Sequence, residues 1–339
     1  MFNSEKLNQP RGTATVHSHP AAHGLTYKLS DTTQTAFTLT LGRQVRPRPT
    51  VAAKPQSPLS QRSSLSASLQ STYENFAETV RQEFIEGSAI HSDLFVANIQ
   101  ITSDTQTLPG YEVSYPIHEA LNWSIARFGH QARETLYAAF LQNEDSSCWQ
   151  AKLSRPILDR GKGKPRKYET PVKNGSRAYL PNIPSSIRAL IAQRYNVDVP
   201  STGSFWNWIA QNPQIPILYT EGGKKALSLL SLGYVAIALY GVNGGYRAKD
   251  ALGNPCPAYL MQDVERFTVP DRPIFLAFDQ DAKPETNRLV NIALSRFAGL
   301  LQKQGAIVST VRWESEQGKG VDDLIVTAGA NAFHSAGIV

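Results

Sequence analysis

The stretch Ile215-Pro216-Ile217-Leu218-Tyr219-Thr220-Glu221-Gly222-Gly223-Lys224-Lys225-Ala226-Leu227-Ser228-Leu229-Leu230 reads as a buried strand, a glycine turn and a helix. Ile215 to Tyr219 is an apolar run of strand length, and strong helix formers follow from Lys224. Gly233 stops that helix. The pattern then repeats: a strand over 234–239 closed by Gly241 to Gly245, a helical spacing over 257–267, and a strand over 274–278 running into Asp279-Gln280-Asp281. A helix over 287–304, a strand over 306–311 and a helix over 321–328 complete it, with Gly305 and Gly329 as stops. Continuous apolar strands alternating with helices predict the α/β class, a parallel sheet covered by helices on both faces.

In such sheets ligands sit beyond the carboxyl ends of the strands. The acids of this region fall there: Glu221 after the first strand, Asp279 and Asp281 after the third, Asp322 and Asp323 in the segment after the fourth. If Asp279 and Asp281 leave an extended backbone, both side chains project to one side. Clustered carboxylates repel one another unless protonated, paired or bridged by a cation, and hard cations such as Mg²⁺ or Mn²⁺ prefer oxygen ligands. A joint metal site is therefore expected; the alternative is that individual acids cap helices or decorate turns. Gly222 and Gly223 at a helix start also let a phosphate approach backbone N–H groups closely.

Outward from this region the charge is uneven. Residues 151–180 carry nine basic against two acidic side chains, a net +7, whereas 71–150 carry three against eleven, a net −8. Residues 1–70 hold eight against two, a net +6, in Ser-, Thr-, Gln- and Pro-rich sequence that cannot bury enough apolar surface to order itself. The tract Arg160-Gly161-Lys162-Gly163-Lys164-Pro165-Arg166-Lys167-Tyr168 combines glycines, charges and one aromatic. It suits a loop gripping nucleic-acid phosphates, with Tyr168 stacking on a base, or else a solvated linker. Phe205, Trp206 and Trp208 offer further stacking faces or anchor a short helix. Helical spacing begins near Thr72, through Tyr73, Phe76, Val80 and Phe84, and recurs over 131–142.

These shifts divide the 339 residues into a disordered basic tail (1–70), a small acidic helical or α+β domain (71–150), a basic nucleic-acid-contact segment and linker (151–210), the sheet domain (211–330) and a terminal tail (331–339). No apolar run approaches the ~18 residues of a membrane span and no secretory signal is visible, so a cytoplasmic protein without membrane contact is expected. Two cysteines, Cys148 and Cys256, exclude a four-cysteine zinc ribbon. No Gly-Lys-Ser/Thr phosphate loop is present.

Thr220-Glu221-Gly222-Gly223-Lys224-Lys225-Ala226-Leu227, Phe278-Asp279-Gln280-Asp281 and Lys319-Gly320-Val321-Asp322-Asp323-Leu324 together resemble the Toprim-like domain of cyanobacterial-type plasmid replication proteins, a relative of bacterial-type primases. The resemblance covers about residues 213–330 and extends more weakly upstream, through Gly161 to Glu169 and through Glu83-Phe84 to Asn98. Many primases place an acid a few residues after the Glu-Gly pair, where this chain has Lys224 and Lys225. The resemblance implies a Toprim-like sheet and Mg²⁺- or Mn²⁺-dependent phosphoryl or nucleotidyl transfer on nucleic acid, as a primase-like component of plasmid or mobile-element replication.

In that reading Asp279 and Asp281 hold the metal, Asp322 or Asp323 completes the site, and Glu221 moves a proton or supports a second metal. Lys224, Lys225, Lys319 and the basic residues Arg160, Lys162, Lys164, Arg166 and Lys167 neutralise phosphates. Single-stranded or fork DNA, nucleotides and a separate helicase are the partners implied. A non-catalytic DNA-binding module and a Toprim-type nuclease using water as nucleophile are the alternatives.

Overall fold

In the structure, a computed structural model, the described residues are 58–339 apart from Tyr111, Arg160, Asp281, Ala282 and Val339, with side chains described from residue 70. The expectations for residues 1–57, Arg160 and Asp281 therefore lie outside the described residues. The first helix, α1, spans Pro58–Ile85 and so begins ahead of the expected start near Thr72. Its apolar spacing does what the period implies: Val80 and Phe84 are fully buried.

Next come α2 (Ser92–Asn98), β1 (Ile99–Ser103), the short ladder β2 (Gln106–Thr107) and β3 (Val113–Ser114), α3 (Pro116–Ala120) and α4 (His130–Glu134). The helix expected over 131–142 is not formed beyond Glu134. Tyr137–Gln142 is instead strand β4, pairing antiparallel with β1 and with β5 (Cys148–Leu153). Tyr137 to Leu141 are all buried, so the run is apolar on both faces, a pattern that fits buried helix and central strand equally until pairing decides. The hairpin β6 (Leu158–Asp159) and β7 (Lys164–Pro165) follows, and then α5 (Ser185–Tyr195) and α6 (Phe205–Gln211). Phe205 and Trp206 are buried in the core and Trp208 packs against it, so these aromatics anchor α6 and offer no open stacking face.

The rest forms around a five-stranded sheet. Its elements are β8 (Ile217–Glu221), α7 (Gly223–Ser231), β9 (Ala236–Leu239), the hairpin β10 (Tyr246–Lys249) and β11 (Pro255–Leu260), α8 (Gln262–Glu265), β12 (Pro273–Leu276), α9 (Pro284–Lys303), β13 (Ile307–Arg312), α10 (Val321–Ala328), α11 (Ala330–His334) and β14 (Gly337–Ile338). The strand order is β14-β13-β12-β8-β9. Strands β13, β12, β8 and β9 are parallel, and β14 adds antiparallel to β13. The helix expected over 257–267 is replaced by β11 and the four-residue α8. Pro255 and Pro257 are tolerated because β11 pairs only with β10. The segment expected as a terminal tail is likewise structured, as the end of α11 and as β14.

One continuous core includes Val80, Leu141, Trp149, Tyr179, Ile209, Tyr219, Phe297 and Phe333, so the boundaries expected at 150 and 210 do not divide it. A smaller cluster around Ile117, Leu121, Trp123 and Leu136 sits under the β1-β4-β5 sheet segment. Among the described residues no helix is long and apolar enough to cross a membrane.

Candidate functional site

From β8 the chain moves to β9 on one side and later returns to β12 on the other side of β8. At such a reversal of strand order the adjacent connections diverge and leave a crevice at the carboxyl ends of the strands. Leu276 of β12 is in register with Tyr219 of β8, and the Ala277 N–H continues the ladder onto the Tyr219 carbonyl at 2.9 Å. Glu221 and Asp279 lie just beyond this pair and are brought to the crevice together. Strand β12 ends at Leu276, so Asp279 projects from a loop rather than from the extended strand assumed in the sequence argument. That loop is tied down: the Gln280 N–H donates to the Lys319 carbonyl at 2.9 Å and its side-chain amide to the Phe278 carbonyl at 2.8 Å.

The crevice opens into a cleft of about 740 Å³ whose lining includes Glu221, Gly222, Gly223, Lys224, Lys225, Asp279, Lys319, Asp322 and Asp323, together with Lys164, Arg166 and Lys167. Residues separated by more than a hundred positions thus meet in one place. Lys162 is exposed outside this lining. Glu83 of α1 and Lys152 of β5 complete a wall that the sequence argument missed. Glu83 is held by Lys152 and, at 3.1 Å, by Lys224. Burial works against its charge, but the two lysines outweigh it and keep its pKa below the ordinary value. In the sequence Glu83 stands out only as the start of the segment through Asn98 to which the resemblance extends weakly.

Lys225 is paired directly with one of the acids. Its Nζ lies 2.9 Å from Asp279 Oδ1. Burial disfavours the ammonium, yet Asp279, Asp322 and Glu221 more than offset that and raise its pKa. A methyl group placed on Gly320 would strike both Lys225 Cε and Asp322 Oδ1, so only a residue without Cβ lets the lysine stem and this carboxylate sit side by side. Glu221 is shifted upward, first by burial and then by Asp279, with Lys225 and Lys319 opposing. Asp322 is buried and accepts a hydrogen bond from the buried Ser88 hydroxyl at 3.2 Å. Asp323 Oδ2 accepts the Gly320 N–H at 3.0 Å, the helix-capping role that stood as the alternative to metal ligation.

The basic tract divides into two kinds of residue. Arg166 Nε is paired with Glu169 Oε1 at 2.8 Å, and Glu169 is buried. Among the described residues the side chains of Lys164 and Lys167 have no ion pair or hydrogen bond, and they line the cleft. Tyr168 packs partly buried against the core rather than standing open for base stacking. Its hydroxyl has no hydrogen-bond partner among the described residues, and burial, Glu83 and Asp322 all push its pKa up.

Residues 205–332 match the family model described as a domain of unknown function, DUF3854. The chain is 34% identical over 278 residues to an uncharacterized protein of Picosynechococcus sp., an alignment covering 76% of this chain and 27% of that protein. The chain thus spans about a quarter of the length of the curated relative it matches. A solved structure of the Aquifex aeolicus primase, comprising its zinc binding and RNA polymerase domains, is similar at a TM-score of 0.32 and 15% identity, over 60% of this chain and 40% of that one.

Proposed function

We propose that the cleft is a nucleic-acid site for Mg²⁺- or Mn²⁺-dependent phosphoryl or nucleotidyl transfer, in a primase-like component of plasmid or mobile-element DNA replication. One observation carries the reading. The acids Glu221, Asp279 and Asp322 and the unpaired lysines Lys164 and Lys167 line the same cleft, at the reversal point of a parallel sheet. Lys225 Nζ pairs with Asp279, and Asp322 and Glu221 also favour its charge, so the site already attracts a cation; this supports the reading that its carboxylate oxygens take a hard divalent ion. Asp279 and Asp322, with Asp281 and Glu221, are the residues that would hold it. Bound there, the ion would neutralise charge on a phosphoryl oxygen and favour a deprotonated nucleophile.

The chain's own groups supply the remainder. Lys164 and Lys167 attract the phosphodiester backbone, and Arg166 holds their loop to the core through Glu169. Glu221, whose burial and acidic neighbour raise its proton affinity, is placed to accept or return a proton during transfer. A second reading, a DNA-binding module without turnover, draws on Lys225 standing where a metal would act. Incubation with labelled nucleotides and labelled DNA on unprimed, primed and duplex substrates separates the readings. Ribonucleotide incorporation supports primase-like transfer, and shortening of DNA supports the nuclease. DNA binding with neither reaction in Mg²⁺ or Mn²⁺ supports the module and overturns the proposal.

A further inference from the structure

Lys225 comes from the helix that starts the site, yet its ammonium points back among the acids. The groups facing it belong to three different segments: Glu221 from the end of β8, Asp279 from the loop after β12, and Asp322 from the start of α10. Gly320 leaves room for its stem against Asp322. Five other lysines line the same cleft: among the described residues Lys224 and Lys152 pair with Glu83, Lys164 and Lys167 pair with no carboxylate, and Lys319 acts electrostatically on Glu221. Lys225 differs from Lys152, Lys164, Lys167 and Lys224 in its ion pair with Asp279.

We infer that Lys225 is the resident counter-cation of this acidic site, and that a divalent metal enters only by exchanging with its ammonium. The inference rests on the reading that the cleft takes such a metal. A divalent ion and an ammonium a few ångströms apart repel strongly, and both compete for the same carboxylate oxygens. The lysine has a flexible four-carbon stem, so the exchange needs no movement of α7. Once displaced, the ammonium remains in a cleft that accepts phosphates, so metal and nucleic acid reinforce one another: the metal frees a cation that the phosphodiester then engages. By linkage, nucleic acid must tighten metal binding by the same factor as metal tightens nucleic-acid binding.

The test uses the full chain and Mn²⁺ as the probe, with affinity read from the electron paramagnetic resonance signal of free Mn²⁺. Lys225→Met removes the competing charge and keeps the stem. It is expected to bind Mn²⁺ about tenfold tighter or more than the parent protein in the absence of nucleic acid. Lys225→Arg retains the charge and is expected to bind as weakly as the parent. Equal or weaker Mn²⁺ binding by Lys225→Met overturns the inference. Should Lys225→Met unfold without metal, Mn²⁺ is expected to restore its thermal transition, and failure to restore it overturns the inference as well. Salt-dependent binding of single-stranded DNA in EDTA, read on the same preparations, reports the nucleic-acid part of the proposed function separately.

Discussion

Neutralising Lys164 and Lys167 together should change the salt dependence of DNA binding without changing stability, and neutralising Arg166 should do the reverse in large part. The two lysines face the cleft with no partner among the described residues, so each phosphate contact they make releases counterions from the DNA. Each contact contributes about 0.7 to the log–log slope on single strands and about 0.9 on duplex. The Lys164→Gln/Lys167→Gln variant should therefore lose about 1.4 of slope on single-stranded DNA and about 1.8 on duplex.

Arg166 differs because its partner is buried. Glu169 is only 6% exposed, and burial already raises its pKa against the pull of Arg166 and Arg127. Leaving a buried charge without its partner costs about 3–5 kcal/mol in a fully enclosed pair. The Arg166 side chain is 40% exposed, which screens the pair and lowers the expectation for Arg166→Gln to about 1–3 kcal/mol. Fluorescence anisotropy of a labelled oligonucleotide across a salt series gives the slopes, and urea unfolding gives the stabilities. A double lysine variant with the parental slope would remove the tract from the binding surface. An Arg166→Gln protein as stable as the parent would show that the pair does not hold the loop.

Glu221→Gln should abolish most turnover, by about 10²-fold or more if the carboxylate handles a proton, while raising the melting temperature at pH 7. The folded protein binds the Glu221 proton more tightly than the unfolded chain does, so its ionised form weakens the fold. Stability is lost as pH rises from the ordinary value of 4.5 into the raised one, and the substitution should erase that slope; a melting temperature at or below the parental one at pH 7 would contradict it. Gly223→Ala should cost about 1–3 kcal/mol in urea unfolding, because the new Cβ would lie 2.3 Å from Leu141 Cδ2 and 3.2 Å from Trp149 Cζ3; an unchanged midpoint would mean that α7 shifts freely.

The parallel sheet was readable because β8, β9, β12 and β13 are short apolar runs, with glycines next to β8, β9 and β13, and α10 forms over the expected residues 321–328. Where apolar spacing serves two structures, the sequence misled. Leu136, Ala139 and Phe140 suit a helix, but Tyr137–Gln142 becomes a strand because β1 and β5 flank it. Pro255 to Leu260 is likewise settled by pairing with β10. Glu221 and Asp279 were legible because each closely follows an apolar run, whereas Asp322 and Asp323 come after a longer polar segment. Their meeting with Lys164 and Lys167 was not, since it depends on how the β6–β7 hairpin packs over the sheet. The two lysines after Gly223 look alike in sequence, and only packing sends Lys224 to Glu83 and Lys225 to Asp279.

The central claim is that these acids act on phosphodiester or nucleotide bonds through a divalent ion. Its most direct test is the single-turnover rate in Mn²⁺ on labelled single-stranded DNA with ribonucleotides, for the parent and for Asp279→Asn, which keeps size and removes the charge a hard cation needs. The account predicts metal-dependent product from the parent and a loss of about 10²-fold or more in a folded Asp279→Asn protein that still binds DNA. Parental turnover in Asp279→Asn, or no product from the parent in either Mg²⁺ or Mn²⁺, would contradict it.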